Sequence, residues 1–247
     1  MLSSAPVTLR FLSRLPVPGG ARVDEPRDIH AAWFPPVGFV IGALVATLDL
    51  CAARLAWEVR DVLVIVTGIA LSGALHFDAL MDAADGLSVA RAESQSVTHA
   101  SVHTSAGIAS GLLAGCVAWL GLSTLHGDLR WLWLICAPVF GRSAIVVGYR
   151  ALPPGPDVGA VTRSLAKSAH SWTAGLSLVI CAGLMFALLG GVAVFAFLAS
   201  AAAALLAIRI FQEHKGGVGG DHFGALGVIG ECSVLIVAAF YTTALRA

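Results

Sequence analysis

Asp78, Asp82 and Asp85 stand within the stretch HFDALMDAADG, spaced i, i+4 and i+7. At about 100° of rotation per residue, that spacing puts all three carboxylates on one face of a helix. Like charges on one face repel one another, and a cation placed among them relieves the repulsion. Magnesium prefers oxygen donors and is commonly held by carboxylates together with substrate phosphates. Asp78, Asp82 and Asp85 are therefore candidate magnesium ligands, and Asp82 and Asp85 candidate catalytic groups. The plain alternative is a solvated acidic helix end.

A second chemical segment is EHKGGVGGDHFGA, residues 213–225. Clustered glycines let backbone N–H groups approach an anion closely, and Lys215 adds a point charge for phosphate. Gly219, Gly220 and Lys215 are candidate substrate-binding residues. Asp221 opens the apolar run that follows, where a carboxylate caps a helix or ligates a metal. It is a candidate for both catalysis and metal binding. Glu231 and Arg142 each lie inside apolar stretches. An ionisable group in such a setting marks a functional site and calls for a partner. Glu231 is a candidate metal ligand. Arg142 is a candidate substrate-binding residue, matched to an acid or a substrate phosphate, with a structural ion pair as the alternative. His76, beside the acidic motif, and Arg14, in the basic N-terminal segment, complete the substrate-binding set. His99 and His103 are four apart, which suits a transition metal only weakly.

These residues need a scaffold, and the composition names one. Of the 247 residues, 57% are hydrophobic and 12% charged, against about 25% charged in a soluble domain. Several apolar runs reach the roughly 20 residues that cross a bilayer. The expectation is an all-α, polytopic membrane bundle of about seven transmembrane helices, at 32–55, 62–75, 105–125, 131–149, 172–189, 192–211 and 224–245. A short helix is expected at 5–14. Residues 76–104 read as a cytoplasmic helical extension of the second span, and 150–171 as a loop. The whole chain, 1–247, reads as one transmembrane domain with a cytoplasmic segment at 1–31. Asp49, in the first span, reads as a side chain reaching toward the outer surface.

Net charge is zero and no Lys/Arg run occurs, which argues against nucleic acid as a partner and leaves the lipid bilayer. The N-terminus does not follow the secretory signal pattern. The five cysteines are odd in number and form no CxxC pair, and they read as small apolar packing residues. Arg10, Arg14, Arg22, Arg27, Arg91, Arg150, Arg163, Lys167, Arg209 and Lys215 fall on one side of the expected topology. Arg54, Arg60, Arg130 and Arg246 fall on the other. The basic excess puts the N-terminus, the acidic motif and the glycine segment in the cytoplasm.

Four ordered pieces resemble the cobalamin synthase family, the adenosylcobinamide-GDP ribazoletransferases: RFLSRLPVP at 10–18, WFPPVGFVIGAL at 33–44, GALHFDALMDAADG at 73–86 and GGVGGDHFGALGVIGE at 216–231. Ala79 replaces the family's usual glycine, and Gly219 its usual threonine. Where the family has a basic–acidic segment, this chain reads SVHTSAG at 101–107; an aspartate is missing and His103 is the nearest substitute. The resemblance implies a magnesium-dependent enzyme of a bacterial cytoplasmic (inner) membrane. Its substrates would be adenosylcobinamide-GDP and α-ribazole or its 5′-phosphate. A ribose hydroxyl attacks the phosphorus nearer the cobinamide, GMP leaves, and adenosylcobalamin or its phosphate forms. A homo-oligomer stays open. Two other readings also stand: a cation-coupled transporter, and a CDP-alcohol phosphatidyltransferase, whose acidic motif DAADGLSVAR resembles with one extra residue.

Overall fold

The computed structural model describes residues 4–17, 29–88, 103–127, 129–156, 158–213 and 218–244. Among these are ten α-helices: α1 (Ser4–Leu12), α2 (Phe34–Cys51), α3 (Trp57–Ser72), α4 (Leu75–Ser88), α5 (Ser105–Thr124), α6 (Arg130–Ala151), α7 (Ala160–Ser168), α8 (Ser171–Leu189), α9 (Val192–Gln212) and α10 (Gly220–Ala244). A 3₁₀ turn, Ala31–Trp33, leads into α2, where Pro35 and Pro36 occupy first-turn positions that need no N–H donor. Six helices are long and apolar enough to span a membrane, and a seventh span results if α3 and α4 count as one bent unit. The protein is a polytopic membrane helical bundle.

The axis of the bundle is α6, buried almost all round, as expected of a helix apolar on every face. It runs between α2 and α10, and glycines set both contacts. A Cβ on Gly38 would sit 2.5 Å from the Pro138 carbonyl oxygen, and one on Gly42 would sit 2.8 Å from the Ile135 Cα. Two glycines four apart thus let backbones touch, the usual device of membrane helix pairs. Pro138 has no N–H to give the Leu134 carbonyl, and that carbonyl lies against Gly42. On the other side, a Cβ on Gly141 would come within 2.6 Å of the Gly227 carbonyl of α10.

Three expectations need correction. The second span does not run straight into the acidic motif. It ends at Ser72, and α4 departs at 86°. Gly73 (φ 61°) and Ala74 (φ 59°) both take the left-handed conformation that makes this corner. Residues 150–171 are not all loop, because 160–168 form α7. Asp49 does not reach to a surface: it is 2% exposed and ion-paired to Arg60 and Arg130. Cys136 and Cys181 are buried as expected, whereas Cys51 and Cys116 are exposed.

Candidate active site

The 86° corner turns α4 so that it packs against both α5 and α10. Contact with α10 is close: a Cβ on Gly224 would collide with the Cβ of Ala79. The N-terminus of α10, which carries Asp221, is thereby drawn to the acidic helix. His76, Asp78, Thr162, Tyr149, Gly220 and Asp221 help line one cavity of about 150 Å³. The two motifs, far apart in the chain, open onto the same space. Tyr149 stacks on Phe223 at 3.8 Å between ring centres, which fixes one wall of that cavity.

Asp85 is the buried member of the acidic face. Its carboxylate accepts the Thr104 backbone N–H at 3.0 Å, the Thr104 hydroxyl at 2.5 Å and the Gly107 N–H at 2.5 Å. Those donors belong to Thr104, the N-cap of α5, and to the first turn of α5, whose early N–H groups have no partner within the helix. Asp85 therefore ties α4 to the start of α5, where a negative charge is favoured. Thr104 and Gly107 were not among the residues expected from sequence. The available signal was a threonine immediately before an apolar run, the usual N-cap pattern.

His103 stands over the acidic face. One ring nitrogen lies 3.2 Å from Asp78, and the other 3.4 Å from both Asp82 and Asp85. Burial acts to lower its pKa, but the hydrogen bonds to Asp78 and Asp85 and the charge of Asp82 outweigh burial and raise it above 6.5. The three aspartates thus have a basic neighbour. Donor atoms of Asp82, Asp85 and His103 all lie within 4.8 Å of one another. Two oxygens and a nitrogen at that spacing fit a single divalent cation.

The other expected residues divide. Arg14 is exposed at the α3–α4 corner, its backbone N–H bonded to the Leu71 carbonyl at 2.7 Å. Gly219 donates its N–H to His222 Nδ1 at 3.3 Å, and Gly220 begins α10. Lys215 lies outside the described residues. Arg142 and Glu231 find each other: they form a hydrogen-bonded ion pair between α6 and α10, Arg142 buried and Glu231 half-buried. Glu231 is ten residues past Asp221, about 15 Å along the helix axis, so it does not join the aspartates. Both members of the pair line a second cavity, which shares His76 with the first.

The family described as cobalamin-5-phosphate synthase matches the chain over residues 5–239. The chain belongs to that family. It is 31% identical to the adenosylcobinamide-GDP ribazoletransferase of Deinococcus radiodurans, over 95% of this chain and 84% of that one. The protein of the same description from Herpetosiphon aurantiacus is 32% identical, over 97% of each chain. A third, from Chlorobaculum tepidum, is 29% identical, over 98% of this chain and 96% of its own. No solved structure matches.

Proposed function

We propose that this protein is an adenosylcobinamide-GDP ribazoletransferase, joining adenosylcobinamide-GDP to α-ribazole or its 5′-phosphate in cobalamin biosynthesis. The observation that carries the reading is the meeting of two family segments: Asp78 of the α4 acidic face and the Gly220–Asp221 start of α10 line one cavity, and the Asp221 charge acts on Asp82. Phosphoryl transfer asks chiefly for positioning and charge neutralisation, and the geometry supports both. A ribose hydroxyl of the acceptor attacks the phosphorus nearer the cobinamide. A new P–O bond forms, the P–O bond to the bridging oxygen breaks, and GMP leaves with that oxygen. The hydroxyl proton passes to a carboxylate of the Asp82–Asp221 group.

Asp82, Asp85 and His103 would hold a divalent cation, with Asp78 and Asp221 beside it. Bound there, the cation supplies positive charge for the pyrophosphate oxygens. The chain's own contribution is to fix those ligands: Asp85 is pinned by α5, and α4 is pinned by Gly224. The exposed Arg14 at the α3–α4 corner is a contact for the charged donor.

The chain would lie in a bacterial cytoplasmic membrane with the cavity facing the cytoplasm. Arg60 and Arg130 are neutralised by buried aspartates, so they do not count toward the far side's charge. That sharpens the basic excess at the Asp82 end. A reporter fused after Arg91 that reads as external would overturn this orientation. For the reaction itself, purified protein is given adenosylcobinamide-GDP, α-ribazole and magnesium. Cobalamin and GMP should appear in equal amounts, and no GMP release from folded protein would refute the assignment.

A further inference from the structure

The second cavity, about 90 Å³ in volume, is unlike the first. Its walls are mostly apolar side chains of α2, α3, α5, α6 and α10, including Ile41, Val64, Ile69 and Val228. Its polar residues are Ser72, His76, Arg142 and Glu231. His76 also lines the acidic cavity, so it is the wall the two chambers share.

Three properties define what fits. The first is charge. Arg142 is 2% exposed and paired with Glu231, so the polar end carries no net charge. A charged ligand would meet no uncompensated partner there, and its burial would be costly. The second is a vacant donor: Arg142 Nε is buried and has no hydrogen-bond partner among the described residues. A buried N–H without an acceptor is destabilising, and a ligand with a neutral acceptor atom removes that penalty. The third is size. The volume far exceeds the roughly 10–15 Å³ that admits one water. It falls short of the roughly 300–1,000 Å³ of sites that enclose a whole ligand. One ring system of a larger molecule fits.

We infer that this chamber takes the flat, uncharged azole ring of the acceptor nucleoside, with its ribose passing His76 into the acidic cavity. The inference rests on the transferase reading above and deepens it by assigning the acceptor's base a place. An acyl chain would fill the apolar volume equally well, but it offers no acceptor for Arg142. The ring places the attacking hydroxyl at the acids while leaving the space beside Gly220 and Asp221 to the pyrophosphate donor.

The test uses plugs. Gly68 lines the chamber, and nothing lies within 4 Å of where its Cβ would be. Gly68→Leu therefore fills open space rather than breaking a contact. Ala118→Leu, from α5, is a second plug should the first fail to fold. Benzimidazole binding to the whole protein in detergent is measured by calorimetry, without added metal or donor. Wild type should bind saturably, and each folded plug should bind at least tenfold more weakly. In turnover, the plugs should raise KM for α-ribazole at least tenfold and leave KM for adenosylcobinamide-GDP unchanged. Benzimidazole binding that is absent, or equal in wild type and plugs, overturns the chamber. So does displacement of benzimidazole by n-decane at equal or lower concentration, which would assign the space to lipid tails. Wild-type protein that binds benzimidazole in a plug-sensitive way yet makes no GMP refutes the reaction and keeps the ring site. Wild-type turnover with an unchanged α-ribazole KM in the plugs does the reverse.

Discussion

The Asp85 carboxylate accepts the Gly107 N–H at 2.5 Å, and a Cβ on Gly107 would fall 2.5 Å from the same carboxylate. The bond exists because residue 107 has no side chain. Gly107→Ala should push Asp85 out of the first turn of α5, shift the acidic face and lower turnover at least tenfold. Asp85→Ala leaves the same N–H groups buried without an acceptor, for a loss of about 1–3 kcal/mol of stability. Thermal unfolding in detergent reads the second effect, and an unchanged midpoint in Asp85→Ala would refute the tie.

His103 gives the metal-free protein a pH dependence. Burial opposes its protonation, but Asp78, Asp85 and Asp82 prevail and hold its pKa above 6.5. A pKa raised by folding contributes stability that is fully present below 6.5 and is lost as pH rises through the higher folded value. The metal-free midpoint of unfolding should therefore fall across that window. Asp78→Asn should flatten the fall, and the His103 ring resonance should titrate lower in that variant. A midpoint that rises with pH there would contradict the arrangement.

How much of this was legible depended on whether the signal was local. The acidic face was readable because i, i+4, i+7 is a property of one helix, and α4 is that helix. The spans were readable because apolar length is counted along the chain. The corner at Gly73 and Ala74 was not, since apolar residues continue up to it and an alanine with positive φ has no sequence signature. Pairings between distant residues were also hidden. Arg142 and Glu231 are 89 residues apart; an ion pair was one alternative for Arg142, but nothing in the sequence pointed to Glu231 as its partner. Arg130 and Asp49, 81 apart, were read as a loop charge and a snorkelling acid. Spacing shows which face a residue occupies, but not which helix arrives there.

Asp82 and Asp221 are near enough for the charge of one to act on the other, which makes them members of one site. Asp82→Asn and Asp221→Asn should each lower turnover on the order of 10²–10⁴-fold, the range of a lost acid–base group. The midpoint of unfolding should hold or rise, because each change removes charge from a repelling group. The double variant should be little slower than either single, as for groups that act as a unit. Fully multiplicative losses would mean two independent roles and would sink the single-site mechanism.

The far end of the bundle makes the opposite prediction, stability without chemistry. Arg60 holds Asp49 through two bonds of 2.6 and 3.1 Å, and Arg130 holds the same carboxylate at 3.1 Å. Arg130 also pairs with Asp61 at 2.8 Å and donates to the Leu122 and Leu125 carbonyls. Trp57 covers the group, 4.2 Å from the Arg60 guanidinium. Asp49 thus joins the ends of α2, α3 and α6, while Arg130 adds α5. Asp49→Asn leaves two buried guanidinium groups facing one remaining carboxylate. Breaking a buried ion pair from one side costs about 3–5 kcal/mol. Arg60 is twelve residues from Ser72, roughly 18 Å along α3 from the corner that carries the acidic helix. Turnover per folded molecule should therefore match wild type, while denaturant unfolding shifts to lower concentration by an amount equal to that loss. An Asp49→Asn protein of unchanged stability would show that the network is incidental. One of normal stability and lost turnover would place Asp49 in the chemistry after all.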